Sequence, residues 1–280
     1  MPILHAGKYR LDLSRPLIMG VVNITPDSFS DGGLLPTAEI AIAHALNLRA
    51  QGADILDIGG ESTRPGAVPV DQDEEWRRIH PVLKALVAAD VPVSVDTRKP
   101  AVMSAAIEAG AAMINDVGAL RAPGALEIVA QSGAAVCLMH MQGKPQTMQE
   151  QPDYGDVVGE VKAFLADRIH DCKEVGIAPE RLVIDPGFGF GKTLEHNLVL
   201  LRRLDEFADM DVPVLVGMSR KSMLGALTGR AVEQREYAGI AAHLLAVARG
   251  ARILRVHDVA AMKDALSIWN AVEGENKHGT

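Results

Sequence analysis

The amino-acid sequence predicts an α/β protein of the (β/α)8 TIM-barrel class, and three observations carry that prediction. Short apolar runs rich in β-branched residues alternate with longer Ala- and Leu-rich segments of helical period. The runs number eight, the strand count of the barrel. No Pro- or Gly-rich linker divides the 280 residues, so 1–280 reads as a single domain, with the polar stretch 273–280 expected to fray. A doubly wound open sheet is the other fold that uses this alternation.

In chain order, residues 5–14 alternate apolar and polar and read as a β-hairpin that closes the bottom of the barrel. Strand runs follow at 17–23, 53–59, 91–96, 112–116, 134–140, 182–185, 212–218 and 251–257. Between and after them lie helical segments at 37–51, 72–89, 100–109, 122–132, 154–175, 194–207, 233–249 and 259–272. The first carries Ile40, Ala43, His44 and Leu48 on one face. Asp71 is placed to cap the second, whose first turns are charged. Pro100 opens the third, at a position where its missing N–H is not needed. Gly52, Gly110, Gly133, Gly176 and Gly250 each follow a helix and are expected to take positive φ there.

Composition narrows the function. Apolar residues make up 48% and aromatics only 4%, so the core is aliphatic, as suits helices packed around a parallel sheet. A net charge of −8 argues against nucleic acid held on a basic face, but leaves room for a small anion in a local basic pocket. Two cysteines, Cys137 and Cys172, are too few for a disulfide framework and read as reduced thiols in a cytoplasmic protein. No window has the length or apolarity of a signal peptide or a membrane span.

Each strand run ends in residues that a buried strand should avoid. They are Asn23; Asp57 and Glu61; Asp96; Asn115 and Asp116; His140; Asp185; Ser219 and Lys221; Arg255 and His257. One strand-terminal Asp is usually a turn former. Eight polar endings in succession point instead to the C-terminal face of a barrel, where catalytic residues of this fold gather. Glycines crowd the same termini and let backbone N–H groups approach an anion. Familiar phosphate motifs fail: Pro186 and Lys192 stand where a P-loop and a dinucleotide fingerprint need glycine. In Ser219-Arg220-Lys221 the lysine is one residue too near for an acylating serine motif.

The remaining inventory fits a conjugated heterocycle carrying a diphosphate. Arg64, Lys221, Arg255 and His257 neutralise the anion. Asp96, Asn115 and Asp185 read a ring with adjacent N–H and NH2 donors. Phe29, Phe188 and Phe190 lie on glycine-rich loops, either covering a flat ligand or simply packing there.

Long stretches of the chain also resemble a known family. Met19-Gly20-Val21-Val22-Asn23-Ile24-Thr25-Pro26-Asp27-Ser28-Phe29-Ser30-Asp31-Gly32-Gly33 is similar to the first loop of dihydropteroate synthases, and Asp57-Ile58-Gly59-Gly60-Glu61-Ser62-Thr63-Arg64-Pro65-Gly66 to their second. Ser94-Val95-Asp96-Thr97, Ile114-Asn115-Asp116, Leu138-Met139-His140-Met141-Gln142-Gly143, Asp185-Pro186-Gly187-Phe188-Gly189-Phe190-Gly191-Lys192, Gly217-Met218-Ser219-Arg220-Lys221-Ser222 and Arg255-Val256-His257-Asp258 continue the likeness in order. The resemblance implies a transferase of folate synthesis that joins 4-aminobenzoate to 6-hydroxymethyl-7,8-dihydropterin diphosphate. It implies pterin binding by Asp96, Asn115, Asp185, Lys221 and Arg255. It assigns the diphosphate to Asn23, Thr63, Arg64, Arg255 and His257, with Mg²⁺ on Asn23. It assigns 4-aminobenzoate to Phe29, Thr63, Arg64, Pro65, Phe190, Lys221 and Ser222. Asp96, Lys221, Arg255 and His257 become the catalytic set. Sulfonamide inhibition, a homodimer and loops that order on binding diphosphate are further implications. His140 receives no role. A pterin-binding methyltransferase barrel and a non-catalytic pterin-binding paralogue are the alternatives.

Overall fold

In a computed structural model, residues 3–25, 38–62, 66–143 and 147–273 are described. The chain opens with a hairpin, β1 (Ile3–Ala6) and β2 (Tyr9–Asp12). Eight parallel strands follow: β3 (Leu17–Asn23), β4 (Ile55–Gly59), β5 (Val93–Asp96), β6 (Met113–Asp116), β7 (Ala135–Met139), β8 (Leu182–Asp185), β9 (Val214–Val216) and β10 (Ala251–Val256). They close into a barrel in sequence order, β10 pairing back onto β3. The open sheet is thereby set aside in favour of the barrel. The strands are buried on both faces, which is why they read as continuous apolar runs rather than alternating ones.

Register decides which strand ends meet. Asn23 lies opposite Gly59, Gly59 opposite Asp96, and Asp96 opposite Asn115. These polar residues therefore form one row at the C-terminal mouth. The opposite mouth is closed by the hairpin, two residues earlier in the chain than 5–14. Leu4, Ala6 and Leu13 fill the barrel end against Leu17, Met113, Val183, Leu215 and Ile253. The hairpin turn docks through the Gly7 N–H, which donates to the Gly133 carbonyl at 2.9 Å.

The α-helices among the described residues are α1 (Ala38–Ala50), α2 (Gln72–Ala88), α3 (Pro100–Glu108), α4 (Ala125–Ala130), α5 (Val157–Glu174), α6 (Leu194–Arg202), α7 (Asp205–Ala208), α8 (Ser222–Thr228), α9 (Glu236–Val247) and α10 (Val259–Glu273). Asp71 caps α2, its carboxylate accepting from the Asp73 and Glu74 N–H groups. The structure revises several expected details. Gly124 sits at φ 85°, so α4 starts at Ala125 rather than 122. Arg203 leaves helical dihedrals and splits 194–207 into α6 and α7, although the apolar period runs on through the break. Arg235 likewise delays α9 to Glu236. The short α8 was not expected. On α1 the buried face is Ala41, Ala45 and Leu48, while Ile40 is 49% exposed. Small alanines let this helix lie close to the barrel. Gly52, Gly110, Gly176 and Gly250 have the expected positive φ; Gly133 does not.

Leu4 is fully buried in the barrel end. Leu4→Ala is expected to lower the unfolding free energy in urea by about 2–4 kcal/mol. A midpoint equal to that of the wild type would mean that the hairpin is not part of the core.

Candidate active site

Arg255, on β10, reaches across the barrel mouth. Its Nε donates to Asp57 Oδ2 on β4 at 2.6 Å, and its Nη2 donates to Asp96 Oδ2 at the end of β5 at 3.0 Å. Asn115, at the mouth end of β6, donates to the same Asp57 oxygen at 3.2 Å. Asp57 is fully buried, so its charge depends on these donors. Burial opposes the Arg255 charge, but the Asp57 and Asp96 carboxylates outweigh it and hold the guanidinium pKa above its ordinary value. Burial pushes Asp96 up to about 7, with Arg255 pulling it back down.

A second group forms around β8 and β9. Asp185 Oδ1 accepts from the Gly187 N–H at 2.7 Å. Burial raises the Asp185 pKa, and Lys221 and that N–H oppose the shift. Lys221, which precedes α8, donates to the Phe188 carbonyl, and its ammonium lies 4.5 Å from the Phe190 ring centroid. Burial lowers Lys221 to about 8, while Asp185 acts in the other direction. The turn beneath these groups requires glycine at 187. Its φ is 73°, and a Cβ there would stand 1.9 Å from the His140 carbonyl oxygen.

At the third corner, the His257 N–H donates to Ser219 Oγ at 3.3 Å, and His257 Nδ1 lies 3.0 Å from the same oxygen. Asn23 is half-buried at the end of β3, and Ser222 is exposed at the first turn of α8. Glu61 ties the β4 and β5 ends together: it accepts from Arg98 at 3.0 Å, from Lys99, and from the Val70 N–H at 3.1 Å.

The barrel thus brings Asp96, Asn115, Asp185, Lys221, Arg255 and His257 to one mouth, with Asn23, Phe190 and Ser222 at strand and loop ends around it. Phe29, Thr63, Arg64 and Pro65 lie outside the described residues. Phe188 is corrected: it is fully buried in the main core, so it packs the loop and covers no ligand. Asp116 also proves structural, its carboxylate accepting from the Gly118 and Leu120 N–H groups to shape the turn after β6. His140 now has partners, Lys192 Nζ at 3.0 Å from Nδ1 and the edge-on Phe164 ring. Burial, reinforced by the Lys192 charge, lowers His140 to about 3, so the ring is neutral.

The residue that sequence reasoning did not rank is Asp57. Its signal was present: a charge inside a buried strand, two positions before Gly59 and so on the same face. Ser219, which supports His257, was seen only as another polar ending.

Removing Asp57 leaves a mostly buried guanidinium with one partner fewer. Asp57→Ala is expected to destabilise the protein by about 3 kcal/mol. Asp57→Ala combined with Arg255→Met should lose less than the sum of the single changes in chemical denaturation. Strict additivity would show that the two residues are not coupled.

With this geometry established, comparison with known proteins places the chain. A sequence model for the family described as "Pterin binding enzyme" matches residues 19–257. The dihydropteroate synthase of Neisseria meningitidis serogroup C is 52% identical over 273 residues, 96% of each chain. A dihydropteroate synthase of Xanthomonas albilineans, solved with 4-aminobenzoic acid, superposes with a TM-score of 0.92 at 55% identity, covering 97% of this chain and 98% of that one. The same organism's enzyme in complex with 7,8-dihydropteroate gives 0.89 at 53% identity, covering 97% and 99%. A Yersinia pestis dihydropteroate synthase in a sulfonamide complex gives 0.93 at 48% identity, covering 97% and 99%. The chain belongs to the pterin-binding enzyme family and, within it, to the dihydropteroate synthases.

Proposed function

We propose that this chain condenses 6-hydroxymethyl-7,8-dihydropterin diphosphate with 4-aminobenzoate, releasing diphosphate and forming 7,8-dihydropteroate. The observation that carries the reading is the mouth itself. A planar guanidinium is clamped by two carboxylates, and the Asp185 carboxylate lies within electrostatic reach of the Lys221 ammonium, all within a barrel of this family. Asp185 pairs with the adjacent N–H and NH2 donors of the pterin, Asn115 reads its other polar edge, and Arg255 stacks on its face. Arg255 and His257 face the diphosphate together with Thr63 and Arg64. Phe190, Lys221, Ser222, Phe29, Thr63, Arg64 and Pro65 frame the aminobenzoate.

The aromatic amine is a weak nucleophile, so the C–O bond to diphosphate breaks early and positive charge spreads from the methylene into the pterin ring. Asp96, pointed at the ring, stabilises that charge, while Arg255 and His257 stabilise the departing anion. The amine lone pair then forms the C–N bond. The resulting arylammonium is acidic and loses its proton without a dedicated base.

The residues also fit Mg²⁺. Asn23 offers one neutral oxygen at the mouth end of β3 and would hold a hard cation that accompanies the diphosphate. When bound it neutralises leaving-group charge. A homodimer is part of the same proposal, supported by exposed apolar residues on the last helices, Leu245, Ile268 and Val272. A cytoplasmic setting is supported by two buried, unpaired thiols, Cys137 and Cys172.

The direct test is diphosphate release on mixing both substrates with Mg²⁺, together with its suppression by a sulfonamide competing with 4-aminobenzoate. Absence of release would refute the proposal. Asp185→Asn is expected to weaken pterin diphosphate binding by about 1–3 kcal/mol in calorimetry; unchanged affinity would remove Asp185 from the pterin site. The pH profile of kcat/KM should be narrow and bell-shaped. Protonation of Asp96 below about 7 removes the carboxylate that stabilises the cation, and loss of the Lys221 proton above about 8 removes the ammonium. Asp96→Asn should abolish the acid limb; an unaltered acid limb in that variant would assign it to another group.

A further inference from the structure

Lys192 is 3% exposed, yet none of the roles above involves it. Burying an ammonium is costly unless every proton is used. Here every proton has an acceptor: the Gly187 carbonyl at 3.0 Å, the Phe190 carbonyl at 3.0 Å and His140 Nδ1 at 3.0 Å. A methionine or leucine would fill the same space at lower desolvation cost.

The loop wrapped around this ammonium is the one that holds Lys221. Its backbone groups are almost fully accounted for. The Gly187 N–H donates to Asp185, the Gly189 N–H to Asn197 and the Phe190 N–H to the Gly187 carbonyl. The Gly187 and Phe190 carbonyls turn inward to Lys192, and the Gly189 carbonyl accepts from Gln149. That leaves the Phe188 carbonyl turned to the site, where it accepts from Lys221. Phe190, whose carbonyl Lys192 holds, also sets the ring that faces the Lys221 ammonium. Two ammonium groups therefore share one short loop, Lys192 from inside and Lys221 from the substrate side.

We infer that Lys192, with His140 behind it, is a positioning residue: by fixing the 187–190 carbonyls and Phe190 it sets where Lys221 presents its ammonium to substrate. His140 is the acceptor that orients Lys192, which accounts for a histidine at the mouth that touches none of the substrate-facing groups. The inference rests on the proposed aminobenzoate role of Lys221 and Phe190.

The test uses steady-state diphosphate release by the full chain. Lys192→Met and His140→Leu are each expected to raise the KM for 4-aminobenzoate on the order of tenfold, the equivalent of about 1.4 kcal/mol. His140→Gln, which retains an acceptor, should restore most of the loss. In a Lys221→Ala background, Lys192→Met should change kcat/KM by less than about twofold, because its effect passes through Lys221. If Lys192→Met does not fold, the His140→Leu and His140→Gln pair decides the question alone. The inference is overturned if the single variants stay within about twofold of the wild-type KM. It is also overturned if Lys192→Met loses the same factor with and without Lys221, the mark of a merely structural residue. A wild-type chain that releases no diphosphate would refute the proposed function instead, so the two failures are distinguishable.

Discussion

The site depends on a guanidinium held at the mouth of a barrel that offers it little water. Arg255 is kept there by Asp57 and Asp96, which come from neighbouring strands and bind different nitrogens of the same planar group. A single carboxylate would leave the guanidinium free to rotate. Two of them fix its plane, and a fixed plane is what a flat ring needs for stacking. Asp57 has no other evident purpose: it is fully buried, its second oxygen has no partner among the described residues, and its donors are Arg255 and Asn115. That uncompensated oxygen is a stability cost retained for the orientation of the other two side chains.

Barrel geometry supplies the rest of the constraint. Parallel pairing with a steady register raises Asn23, Gly59, Asp96 and Asn115 to one level. The hairpin does the complementary work at the far end, replacing solvent with Leu4, Ala6 and Leu13 so that the mouth is the open end. The glycines of the β8 loop serve close approach: Gly187 lies against the His140 carbonyl and Gly191 against Gln142, distances that exclude any side chain. The loop is thereby pressed onto the end of β7, and Lys192 is enclosed between them.

Much of this was legible in the sequence, and the reasons are specific. Doubly buried strands announce themselves as apolar runs, so all eight were found to within a few residues. Asp71 and Pro100 marked helix starts because capping and φ restriction are local effects. The failures are equally physical. The short α8, which contains Gly225, carries too little periodicity to be seen. The split at Arg203 leaves the apolar pattern intact, so no pattern reports it. Phe188 and Phe190 look alike in a glycine-rich loop, and only the fold shows that one faces the core and the other Lys221. The polar strand ends pointed to the C-terminal mouth of the barrel without help, but dividing them between pterin, diphosphate and aminobenzoate required the family resemblance. Phe29, Thr63, Arg64 and Pro65 still rest on it.

Charge distribution links the clamp to the chemistry. At the mouth Asp57 and Asp96 are met by Arg255, and Asp185 by Lys221, with Lys192 acting on Asp185 from beneath the loop. Burial disfavours the charged forms of Asp96 and Asp185 and raises both, while Arg255 pulls Asp96 back and Lys221 pulls Asp185 back. Around the same mouth Asn23 ends β3, and His257 follows β10 beside Ser219. In the proposed reaction, a transition state with a cation on the ring and an anion on the leaving group is stabilised by Asp96 on one side and by Arg255 and His257 on the other. On that proposal the buried Asp96 carboxylate gains a cationic partner as the C–O bond breaks, so its interaction is strongest in the transition state.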